Sequence, residues 1–86
     1  MQGIFTIYDS KAETCLPPFF SPNSATAIRD FEVAANDTST VFYKHAADYT
    51  LFEIASWDDQ TGHIEPHVHI NLGTAITFRK ALEEIK

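Results

Sequence analysis

Residues 49–70 read YTLFEIASW, then DDQTG, then HIEPHVHI. Two β-rich runs of alternating character flank a polar turn. Gly62 supplies the left-handed position that closes a type I turn with a bulge, so the stretch is a β-hairpin with strands at about 49–58 and 63–70. With Gln60, Thr61 and Gly62 as the loop, Asp59 faces His63. Pairing then runs Asp58 with Ile64, Trp57 with Glu65, Ala55 with His67 and Glu53 with His69. Alternation puts Phe52, Ile54, Ile64, Val68 and Ile70 on one face, taken as core. The other face holds Glu53, Trp57, Glu65, His63, His67 and His69. Pro66 cannot donate to a ladder, so its strand is expected at an edge or at a non-hydrogen-bonded position there.

Upstream, Asn23 or Ser24 can cap a helix over about 23–36, with Ala27, Ile28, Phe31, Ala34 and Ala35 at three- and four-residue steps. Arg29, Asp30 and Glu32 take its polar side. Residues 3–8, GIFTIY, read as a strand ending at Asp9-Ser10. The prolines of LPPFF limit residues 16–20 to an edge strand or an extended segment. Residues 41–48 read as a loop whose aromatics dock it. A C-terminal helix is foreseen in GTAITFRKALEEIK, without a clear start. The fold class is therefore α+β: a small antiparallel sheet with the main helix packed on it, in a single domain over 1–86.

Composition narrows the function. A hydrophobic fraction of 44 % with seven Phe, three Tyr and one Trp requires a packed core. A chain this short buries only about 60 % of its unfolded surface, which favours homo-oligomers. The single Cys15 can form no internal disulfide, as suits a reducing compartment. No signal-like segment and no run of about 20 apolar residues is present, so neither secretion nor a membrane span is expected. Six Lys and Arg against twelve Asp and Glu, net −6, disfavour wrapping duplex DNA.

Two constellations could carry chemistry. His63, His67 and His69 with Glu65 on one strand face form a ligand set suited to Zn²⁺, and the same pattern suits an ordinary solvated strand face. Trp57 on that polar face, beside Tyr49, is the raw material of a base-stacking platform, which needs no net positive charge. No enzyme is expected and no cofactor is implied: Cys15 has no elbow behind it, Asp58 and Asp59 belong to the turn, and three glycines make no phosphate loop.

Taken in order, YDSKAETCLPPFF (8–20), AIRDFEVAAND (27–37) and KHAADYTLFEIASWDDQTG (44–62) resemble the successive blocks of the small nonstructural protein of gokushoviruses, single-stranded-DNA phages of the Microviridae. The similarity covers most of residues 4–62, with departures at Ala46, Ala55 and Trp57, where the family often has Pro, Gly and Phe. The resemblance implies a protein made in the host bacterial cytoplasm and absent from the virion. It also implies a role in genome replication or in single-stranded DNA packaging, with single-stranded DNA and phage replication or capsid proteins as partners. Lys11, Arg29 and Lys44 lie in the matching blocks and are the phosphate contacts so suggested. The alternative is an acidic adaptor that docks on the replication initiator or the procapsid without touching DNA.

Overall fold

Every strand described below belongs to one antiparallel sheet, and the pairing within it decides which side chains meet. The computed structural model describes residues 1–79. Strands β1 (Gln2–Asp9), β2 (Thr14–Cys15) and β3 (Phe19–Ser21) are followed by helix α1 (Ser24–Ala35). The short helix α2 (Val41–Lys44), a 3-10 turn (Ala46–Asp48), β4 (Tyr49–Trp57) and β5 (Ile64–Thr74) complete the order. Residues 75–79 are helical, so the foreseen C-terminal helix starts at 75, and the rest of that expected segment, residues 80–86, lies outside the described residues. The sheet order is β2-β1-β4-β5, with β3 also on β1.

The α+β architecture agrees with the sequence, as does the helix. Asn23 is the N-cap, its side chain accepting from the Thr26 amide at 2.8 Å, and Asn36 caps the other end. Ala27, Phe31 and Ala35 form the buried stripe. Residues 41–48, read as a loop, instead form α2 and the 3-10 turn. Thr40 caps α2 by accepting from the Tyr43 amide, a four-residue element too short to leave a periodic signature.

The hairpin exists, but its register differs from the one the loop length predicted. Asp58 starts the turn: its Oδ1 accepts from the Gln60 amide at 2.9 Å and its carbonyl from Gly62 N–H at 2.7 Å, with Gly62 at φ +79°. The strands close at Asp58, whose amide donates to the His63 carbonyl. The loop is therefore one residue longer than predicted, and pairing becomes Trp57 with Ile64, Ser56 with Glu65 and Ala55 with Pro66. A one-residue slip moves each side chain to the opposite face. Beyond it, three β5 residues (67–69) oppose the single Ile54, and a second irregularity lies between Leu51 and Phe52.

The core is accordingly not the predicted one. Phe5 and Leu51 are fully buried and cluster with Ala27, Phe31, Ala35, Ala46, Tyr49 and Ala75. Of the residues assigned to the core, Val68 is 87 % exposed, and Ile64 and Ile70 are exposed as well. β5 is an edge strand, paired only with β4 among the described residues. Counting from the Asp58–His63 bond, Pro66 sits at a non-hydrogen-bonded position, as its missing N–H requires.

Candidate functional site

Strand β1 separates the two faces of the sheet. Phe5 and Ile7 pack with α1 in the core, so Gln2, Ile4, Thr6 and Tyr8 point the other way. Register carries this outer face across the sheet. On β4 it continues as Trp57, Ala55, Phe52 and Thr50, the partners of those four residues. On β5 it holds Ile64, Pro66, Asn71 and Thr74. Phe20 pairs with Ile4 and Cys15 with Tyr8. None of these side chains is charged, although 21 % of the chain is Asp, Glu, Lys or Arg.

The helical residues that are buried, including Ala75, join the single cluster around Phe5 and Leu51, so no helix among the described residues packs on the outer face. Its centre is closed by its own side chains. Phe20 and Trp57 meet edge to face at 5.3 Å between ring centroids, and Ile4 and Ala55, in register with them, are buried. Phe20 remains 52 % exposed and Ile64, beside Trp57, 51 %. The face is an aromatic and aliphatic plate with Gln2, Thr50, Asn71 and Thr74 toward its borders and the buried Thr6 within it, whose hydroxyl donates to the Leu16 carbonyl at 2.8 Å.

This places Trp57 on an open sheet face, as the sequence indicated, but among different neighbours. Its cross-strand partners are Gln2 and Ile64, not Glu65. Tyr49 is not beside it. The two stand at opposite ends of β4, about 26 Å apart at strand rise. Tyr49 points inward, 9 % exposed, with its ring edge-on to Phe42 at 5.0 Å. Burial raises the Tyr49 phenol above its ordinary pKa, helped by the charge of Asp9, a hydrogen bond to Asp9 and the charge of Asp48. The residues the sequence reading missed are Phe20, Phe52 and Tyr8. For Phe20 a signal existed: adjacent Phe19 and Phe20 on a strand must divide between faces. Phe19 stacks on Phe5 inside, and Phe20 takes the outside.

The candidate cations do not form one row. Lys11 lines a cleft of about 280 Å³ with Asp9, His45, Asp48 and Tyr49. Lys44, the last residue of α2, is exposed and adjoins His45. These two lie toward the Tyr8–Thr50 end of the sheet, away from Trp57. Arg29 is exposed on α1, which covers the inner face. Lys11, Arg29 and Lys44 make no ion pair with another described residue.

Nor do the three histidines share a face. His63 Nε2 lies 3.1 Å from Glu65 Oε1, both exposed. His67 Nε2 lies 3.3 Å from Glu53 Oε2, partly buried and on the inner side. His69 turns toward Phe52 on the outer side, ring centroids 6.3 Å apart. The irregular pairing at 67–69 splits the set, and no group of three or more His, Cys, Asp or Glu among the described residues could hold a metal ion.

A family described as Phage ORF5 protein matches residues 2–78. No curated protein and no solved structure matches the chain. No helix among the described residues is long and apolar enough to cross a membrane.

Proposed function

Because the chain belongs to the Phage ORF5 protein family, we propose that it is the nonstructural protein of a gokushovirus-like single-stranded-DNA phage. In this reading it acts without catalysis in replication or packaging of the genome, by contacting single-stranded DNA in the host cytoplasm, and is left out of the virion. The observation that carries the DNA contact is the open outer face, where Phe20 and Trp57 present aromatic surface that no described helix covers. Stacking of a base on an aromatic side chain is worth about 1–3 kcal/mol and tolerates any sequence, as genome-wide coating of a single strand requires. Lys11 and Lys44 at the far end of the sheet supply phosphate contacts, and Arg29 is assigned a subsidiary contact outside the face.

A phage lacking this reading frame tests the role. Infected cells should accumulate double-stranded replicative DNA while progeny single strands fall severalfold. An unchanged ratio of single- to double-stranded genomes would sink the proposal.

One observation favours the second reading, an acidic adaptor. The outer face holds no Lys or Arg, and net charge −6 suits a basic protein partner such as the replication initiator or the procapsid interior. Capture of either protein by the tagged chain from infected cells, undiminished by nuclease, would favour the adaptor over direct DNA contact.

A further inference from the structure

We propose that in the absence of DNA a second copy of this chain covers the outer sheet face, two sheets packing about a two-fold axis, and that single-stranded DNA competes for that surface. The competition rests on the DNA reading above, and the self-association stands without it.

Charge selects the occupant. At net −6 two copies repel each other through most approaches, because twelve acidic residues outnumber six basic ones. The outer face carries no formal charge at any register position of β1, β4 or β5. It is the broad surface through which like can meet like without desolvating a carboxylate. Face-to-face packing of sheets at about 10 Å is also a standard way to bury a second apolar sheet face.

The edges do not offer the same route. On β5, Pro66 presents no N–H and the irregular pairing at 67–69 breaks the line of backbone donors. On the opposite side Pro17 and Pro18 interrupt the edge between β2 and β3.

Area sets the strength. Four strands at about 4.8 Å spacing and eight residues at about 3.3 Å rise give a plate of about 19 by 26 Å, on the order of 500 Å² per copy. Two copies bury about 1,000 Å², the lower bound for a specific interface and below the standard 1,600 Å² or so. The dimer should therefore be weak and reversible, with Kd on the order of 10–100 µM, which leaves it displaceable by DNA.

Sedimentation velocity of the full chain over a concentration series, alone and with a thymidine-only DNA single strand, tests both parts. The unmodified protein should pass from monomer to dimer as concentration rises. Ile64→Lys, a change at an exposed position that buries a charge only in the dimer, should weaken association at least tenfold. Val68→Lys, more exposed and without a register partner on β4, should associate like the unmodified chain. Added DNA should convert dimer to DNA-bound monomer. A chain that stays monomeric up to about 1 mM, or an Ile64→Lys variant that dimerises normally, overturns the self-association. DNA bound by an undiminished dimer overturns the competition. A dimer lost in Ile64→Lys with no DNA bound by either form upholds the self-association and overturns the DNA reading.

Discussion

Replacing Leu51 and Val68 each by Ala separates the two possible faces of the hairpin. Leu51 is fully buried between Ile7 and Gly73 in register, in the cluster with Phe5 and Phe31. Val68 is 87 % exposed and lies where β5 departs from regular pairing. Truncating a buried Leu loses its transfer free energy and leaves a cavity, about 3–4 kcal/mol here. An exposed Val→Ala change costs less than about 0.5 kcal/mol. The whole domain, at about 0.05–0.15 kcal/mol per residue, has only about 4–13 kcal/mol in hand, so Leu51→Ala should remove from about a quarter to nearly all of it. With an m-value near 1 kcal/mol/M, its urea midpoint should fall by about 3 M and that of Val68→Ala by less than about 0.5 M. Circular dichroism follows the transition, at one low protein concentration so that self-association does not add to stability. Equal losses, or the larger loss at Val68, would refute the register and return the core to the face the loop length first suggested.

Three further outcomes follow from local geometry. Asn23→Ala removes the acceptor for the Thr26 amide and should cost about 1 kcal/mol in urea unfolding, whereas Asn23→Asp should retain most of the cap. Gly73→Ala forces a side chain into φ +133° with its Cβ 2.7 Å from the Phe78 ring, and should lower stability by about 2 kcal/mol or more in the same assay. Tyr49, whose folded pKa is raised, contributes stability that is fully present below the unfolded value near 10 and is lost as pH rises through the folded pKa. The unmodified protein should thus lose stability in alkali while its phenolate absorbance develops late, and Tyr49→Phe should flatten that loss.

What could be read from residues alone was whatever depends on local chemistry. The Asn23 cap, the stripe of Ala27, Phe31 and Ala35, the left-handed Gly62 and the edge position of Pro66 each follow from one residue and its near neighbours. What could not be read was the pairing. Whether the turn opens at Asp58 or Asp59 turns on one carboxylate accepting from the Gln60 amide, and that one residue decides which β5 side chains share a face with Trp57, while the break in pairing at Ile54 sets the face of the rest of β4. Alternation gave no warning, because Leu51 and Phe52 are adjacent and both apolar, and Ile54 falls in a break in pairing. The candidate site was legible to the same degree. Trp57 stands on an open face, but Phe20, forty positions or so earlier in the chain, joins it only through β3, β1 and β4 pairing, which no local pattern reports. Tyr49 failed as its companion because distance along the strand and the inward turn of its ring both separate them. The histidine set failed because its even spacing assumed a regular strand.

The outer face as a single-strand platform is tested most directly by titrating a labelled DNA single strand with the protein across a salt series, reading anisotropy and Trp57 fluorescence in the same sample. Binding should quench Trp57 and weaken as salt rises, and Trp57→Ala should lose about 1–3 kcal/mol of affinity, roughly 5- to 150-fold. No binding at low salt, or binding that leaves Trp57 unquenched and is untouched by Trp57→Ala, would contradict the account.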